Sequence, residues 1–300
     1  AAKVFDADGR LLLDWTEYPL TRDDWVRQSR EKFDPACAGV EEIYLQAEER
    51  RLYTWPKRRN SARRLFETGL AKDPGHSGIH LSLAEMDLRD GRPESALEHV
   101  EAALARRDGQ ERALILQGWV RMALGEPEAA AESFATAARD EAGRPGGLIG
   151  LAAANLRLGR WQAAPAAADR ILADRPAHPW GRLLKVIALR RAGREEPARG
   201  LLAEALADDP LWSRLHAEAY LLGVDPELGG GRRIADDTVG AACLYLELGL
   251  WEDAAEVASV DESNEPFSPA VRLAVVAFAR LRAGDRPAAD AAAAGMSAAP

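Results

Sequence analysis

The chain of 300 residues carries 48 acidic against 39 basic side chains, a net charge of −9 and a pI near 5.3. That balance argues against general nucleic-acid binding, which asks for a basic surface. No apolar run approaches the ~18 residues of a membrane span, and the opening AAKVFDADGR has no secretory pattern. Cys37 and Cys243 lie too far apart for a metal or redox spacing and read as buried thiols or bystanders in a reducing, cytoplasmic compartment. The chain starts without methionine and inside an apparent strand, which points to an excised or processed fragment.

Residues 1–16 read as a β-hairpin turning at Asp6-Ala7-Asp8-Gly9, and 17–39 as a polar connector with one short helix candidate, RDDWVRQSREKF. From Val40 the spacing of apolar residues is helical. VEEIYLQAEERRLYTW keeps Val40, Ile43, Tyr44, Ala47, Leu52 and Trp55 on one face, and Pro56 ends it. A returning helix over 60–73 closes at Asp73-Pro74. Further hairpins are predicted at 77–90 with 93–107, 111–124 with 127–140, 145–158 with 161–174, and 179–192 with 195–208. A single helix follows at 211–222, then a glycine-rich linker over 223–234, then two more hairpins near 235–260 and 268–296. The expected division is thus 1–39 hairpin and connector, 40–222 repeats, 223–234 linker, and 235–300 further hairpins.

The order in this pattern is carried by Gly91, Gly125, Gly159 and Gly193, each 34 residues from the next, with Ala96, Ala130, Ala164 and Ala198 five residues behind them. Gly249 with Ala254 and Gly284 with Ala289 repeat the offset. Glycine after the first helix supplies a left-handed cap, and alanine lies where paired helices touch. A 34-residue period resembles that of tetratricopeptide (TPR) helix hairpins. The resemblance implies an all-α, TPR-like α-solenoid, a right-handed superhelix of about six hairpins after the short N-terminal β-hairpin. It implies a scaffold that binds other proteins, without chemistry or cofactor.

In such arrays the first helix of each hairpin lines the concave face. Counting back from the glycines places Leu81, Ile115, Ile149 and Leu183 in one inner row, and Leu88, Met122, Leu156 and Arg190 in another, with Trp119 and Ile187 beside them. Arg157 and Arg191 form a basic edge. The candidate partner-binding face is therefore Leu81, Ile115, Trp119, Met122, Ile149, Leu156, Arg157, Leu183, Ile187 and Arg191, with Trp119 as anchor. Packing within the superhelix is the plainer reading for part of this strip. The lysine and asparagine pattern that some TPR proteins use to hold a terminal carboxylate is absent.

A second feature is the basic patch Arg50, Arg51, Lys57, Arg58, Arg59, Arg63 and Arg64, seven cations within 15 residues. It suits an acidic partner or phosphate, or is a solvated helix pair balanced by Glu41, Glu42, Glu48 and Glu49. Gly229-Gly230-Gly231 lacks the strand and the GK[ST] ending of a phosphate loop, and His76 with His80 lacks the HExxH pattern and reads as a solvent-facing helix start. Paired acids such as Asp236-Asp237 have no cleft context for acid–base work. No metal or cofactor ligand set is expected.

VFDADGRLLLDWTEYP, EEIYLQAEERRLYTWPKRRNSARRLFETGLAKDPGHS and ALADDPLWSRLHAEAYLLG also resemble the C-terminal part of a poorly characterised bacterial family. In that family a β-rich, carbohydrate-enzyme-like region precedes the repeats. The resemblance implies that the partner is a peptide, another protein or an upstream domain of the same parent chain. It leaves an alternative function, helical accessory to a carbohydrate-active enzyme whose catalytic residues lie upstream. A sensor working through the basic first hairpin is a third reading.

Overall fold

In a computed structural model, residues 2–5, 11–15, 33–53, 59–106, 110–224, 238–260 and 269–298 are described. Residues 22–32 of the helix candidate, the Gly229–Gly231 tract, Asp236-Asp237, Lys57 and Arg58 lie outside them, and for Arg59 only the backbone is described. The described residues hold fifteen helices and one two-stranded sheet. They divide into two compact units, Ala1–Thr68 and Gly69–Pro300.

In the first unit, β1 (Ala2–Phe5) pairs antiparallel with β2 (Leu11–Trp15), with a register shift between Val4 and Phe5. Helix α1 (Val40–Tyr53) buries Ile43 and Ala47. Tyr44 tilts against Phe66 of α2 (Arg59–Lys72), with ring centroids 6.3 Å apart.

The second unit stacks helix hairpins. The pairs are α3 (Ser77–Arg89) with α4 (Pro93–Leu104), α5 (Gln110–Leu124) with α6 (Pro127–Ala137), α7 (Arg144–Arg157) with α8 (Ala164–Asp174), and α9 (Pro179–Arg191) with α10 (Glu195–Asp208). Then come α11 (Ser213–Leu221), α12 (Thr238–Glu247) with α13 (Trp251–Ala258), and α14 (Pro269–Arg282) with α15 (Arg286–Ala298). First helices also touch first helices, α3 on α5, α5 on α7, α7 on α9.

Each first helix ends alike. Gly91, Gly125, Gly159, Gly193, Gly249 and Gly284 all have positive φ, between 68° and 86°. The residue after each sends its N–H back five positions, as Arg92 does to Asp87 and Leu250 to Tyr245. This closure needs a left-handed residue, which a Cβ resists. Gly223 does the same for α11, with φ of 58° and the Val224 N–H bonded to the Ala219 carbonyl. The capping ladder therefore has a rung between Gly193 and Gly249 and continues with uneven spacing. The alanines five residues on, from Ala96 to Ala289, are all buried.

A second ladder fixes the return from one hairpin to the next. Pro74, Pro176 and Pro210 present carbonyls to a donor six residues later: His80 Nε2 at 2.9 Å, Arg182 Nε at 2.8 Å and His216 Nε2 at 3.0 Å. A carbonyl only accepts, so both histidines carry their proton on Nε2. His76 and His178 cap α3 and α9 through Nδ1, which accepts the N–H of Ile79 and Gly181. The histidines are thus structural, and His80 is buried rather than facing solvent as its position at a helix start suggested. Cys37 and Cys243 are both exposed, so the buried alternative fails for each.

Two features tie the stack together. Phe134 of α6 is fully buried between glycines of the flanking first helices. A Cβ on Gly118 would come within 2.4 Å of its ring, so an alanine there would require a shift. Trp119 stands edge-on to the same ring, with centroids 5.1 Å apart. Further along, Arg190 of α9 donates to Glu218 of α11 at 2.8 and 2.9 Å and to Asp253 of α13 at 2.8 Å. Tyr245 of α12 donates to Glu218 at 2.7 Å. Burial alone would lower the Arg190 guanidinium, but the carboxylates of Glu218 and Asp253 hold it well above its ordinary value. Burial, then the Glu218 charge, pushes the Tyr245 phenol up. One continuous apolar core runs from Met122 of α5 to Ala279 of α14, so these charges sit inside packed hydrocarbon.

Candidate functional site

The first helices enclose a cavity of about 540 Å³. Trp119, Met122 and Ala123 of α5 and Ile149, Ala153 and Arg157 of α7 form its centre. Leu88 of α3 lies at one side, and Trp180 and Leu184 of α9 at the other. Leu244, Glu247 and Leu248, on and just after α12, close the far wall. The lining runs obliquely, from the C-terminal half of α5 to the N-terminal half of α9. The volume falls in the range of sites that hold a ligand or a few side chains.

The polar groups sit at the α7–α12 edge. Arg157 Nη1 donates to the main-chain carbonyl of Glu247 at 3.0 Å. Its guanidinium lies 5.9 Å from the ring centroid of Trp251, at the start of α13. Gly249 makes room for it, since a Cβ there would come within 3.1 Å of Arg157 Cγ. Burial, then the positive charge of Arg282, lowers the Arg157 guanidinium. Burial raises the Glu247 carboxyl, and the charge of Arg214 works against that rise. Arg214 itself stacks on Trp180 at 5.5 Å.

Of the ten residues predicted for the concave face, Trp119, Met122, Ile149 and Arg157 line this cavity. Ile115 packs half-buried against the core, where the missing Cβ of Gly146 leaves it space. Leu81, Leu156, Leu183 and Ile187 do not line it and are buried in the core, as Met122 on the cavity wall largely is. Neighbouring first helices pack side by side, so the flank of each inner row is covered by the next helix. Arg191 does not line the cavity either. Its guanidinium stacks on Trp161 at 5.2 Å and reaches Asp253 at 3.4 Å, so it braces the stack rather than forming a free edge. Trp180, Leu184, Leu244, Glu247 and Leu248 were missed, because a fixed offset from the glycines cannot follow an oblique groove.

The basic patch is not one cluster of free cations. Arg51 forks onto Glu48 at 2.7–3.1 Å. Arg50 and Arg63 are half-buried and Arg64 is exposed. Among the described residues no group of three or more His, Cys, Asp or Glu side chains could hold a metal, and no helix is long and apolar enough to cross a membrane.

Profiles of the tetratricopeptide repeat match residues 57–120 and 115–179. Residues 57–179 are tetratricopeptide repeats. The TPR architecture extends beyond them. A tetratricopeptide repeat protein from Parabacteroides merdae superposes with a TM-score of 0.56 at 16% identity, over 87% of this chain and 93% of that one. PilF of Pseudomonas aeruginosa superposes with a TM-score of 0.54 at 18% identity, over 71% and 96%. Both show the fold alone. No curated protein matches the chain by sequence. TPR folds generally serve as protein-interaction scaffolds.

Proposed function

We propose that the chain is a non-catalytic interaction scaffold that takes a short segment of a partner protein, with an apolar side chain of that segment seated in the cavity between α5, α7, α9 and α12. The observation that carries this is the cavity's lining. Half-buried Trp119, Ile149 and Trp180 present apolar surface in one concavity, over buried Met122, Leu184 and Leu244, although the chain as a whole is strongly charged. Apolar surface left open in this way marks an interface. Trp119 and Trp180 are the anchors, each braced edge-on by a second aromatic, Phe134 at 5.1 Å and Trp212 at 5.4 Å. Rigid aromatic surface of this kind concentrates binding energy.

The test uses a random dodecapeptide display library selected on the full chain. Ala123 is exposed and lines the cavity, so Ala123→Arg puts a long charged side chain into it without touching the core. Selected peptides should lose about tenfold or more in affinity with this variant, a loss near 1.4 kcal/mol. They should keep their affinity with Glu98→Arg on the exposed face of α4. Equal binding to wild type and Ala123→Arg would place the peptide elsewhere and overturn the proposal.

A further inference from the structure

We propose that Arg157, Arg282 and Trp251 form a receptor for an acidic side chain, so that the ligand of this scaffold pairs an apolar anchor with a neighbouring aspartate or glutamate. The inference rests on the groove reading above and gives it a partner chemistry. Two guanidinium groups lie against one indole: Arg157 at 5.9 Å and Arg282 at 4.9 Å from the Trp251 centroid. Phe278 stands edge-on to the same ring at 6.3 Å and 84° and leaves about half of its own surface open. The arginines come from α7 and α14, which the sequence separates by more than a hundred residues.

Among the described residues, no counter-charge reaches this pair. Arg92, Arg106, Arg112, Arg182 and Arg190 each reach a carboxylate. Among the described residues, Arg157 and Arg282 reach none; Arg157 has only the main-chain carbonyl of Glu247. Burial, then the positive charge of Arg282, lowers the Arg157 guanidinium. In a chain of net charge −9, two adjacent arginines that no described acid reaches form a local site of opposite sign. A guanidinium group over an aromatic ring still has N–H donors to offer a carboxylate, which it binds in fork geometry. Arg157 borders both the cavity and this pair, so one peptide segment can reach both.

The experiment takes peptides selected on the full chain, labelled with fluorescein, and measures their affinity by polarisation. Wild type, Arg157→Gln, Arg282→Gln and Arg282→Glu are compared, each against the selected peptide and its Asp→Asn or Glu→Gln form. Arg282 is exposed, so its substitution leaves the core intact. The selected peptides should carry an acid at a fixed distance from an apolar residue. Arg282→Gln should weaken them about tenfold, the scale of a charge-assisted hydrogen bond, and neutralising the peptide acid should cost wild type more than it costs Arg282→Gln. Arg282→Glu should weaken them further. Peptides that Ala123→Arg blocks but that show no acidic preference, or that bind Arg157→Gln and Arg282→Gln as well as wild type, would overturn this receptor while leaving the groove standing. If no peptide is enriched, or if Ala123→Arg blocks none, the groove fails and the receptor with it.

Discussion

Replacing Arg190 with methionine removes the cation that links α9 to α11 and α13 on either side of residues 225–237. Arg190 donates three hydrogen bonds of 2.8–2.9 Å. Without it Glu218, 0% exposed, keeps only the Tyr245 hydroxyl, and Asp253 keeps Arg191 at 3.4 Å. One carboxylate is then buried with no counter-charge, which costs about 3–5 kcal/mol. Arg190→Met combined with Glu218→Gln removes both charges, and the amide still accepts the Tyr245 hydroxyl. That pair should recover most of the loss, because a buried ion pair and a neutral, well-packed replacement are near equal in energy. Urea unfolding followed by far-UV circular dichroism gives the totals. Hydrogen exchange gives the place, since repeat stacks open locally. Protection should fall in α11 to α15 and hold in α3 to α8. The cavity should suffer too, because Leu244 and Glu247 of α12 form its far wall. A loss below about 1 kcal/mol for Arg190→Met, or a double variant no better than the single, would refute the reasoning.

Gly150→Ala should destabilise despite a better helix former, because its Cβ falls 2.2 Å from the enclosed Phe134 ring; overpacking costs about 1–3 kcal/mol, which thermal melts would read. Gly193→Ala has open space around it but a φ of 72°, so it should lose about 1–2 kcal/mol from backbone strain alone, with no change in the protection of α5 to α8. For Glu247 the folded-state pKa is raised, so its charged form opposes folding once pH rises above the ordinary value of 4.5, and fully so above the folded value. Glu247→Gln should therefore stabilise the chain near pH 7 and make no difference at pH 3.5–4, a comparison made by urea midpoints at the two pH values.

The hairpins were legible because capping glycines and packed alanines are local requirements. Gly125 must take positive φ, and Ala130 must stay small, whatever surrounds them. Gly223 escaped because the alanine offset and the 34-residue spacing both lapse there, while its cap geometry does not. The cavity was legible only in part. Trp119, Met122 and Ile149 follow from helical spacing, but which inner-row side chains stay open depends on how neighbouring helices tilt. Leu183 sits in a row that faces inward and is nonetheless covered. Arg191 looked like an exposed edge, and Arg190 like a groove residue, because their partners Asp253 and Glu218 lie 62 and 28 residues away. Trp251 gave no sign of its two arginines, since no pattern in one chain reports a contact between α7, α13 and α14.

The most direct measurement of the central claim places an environment-sensitive fluorophore at the cavity. With Cys37→Ser and Cys243→Ser removing the exposed thiols, Ala123→Cys carries the label on the cavity wall and Glu98→Cys carries it on α4 as the control. Titration with a selected peptide should shift the emission of the cavity label saturably, at the affinity measured by polarisation, and leave the control unchanged. An unchanged cavity label at saturating peptide, or equal shifts at both positions, would contradict partner binding in this groove.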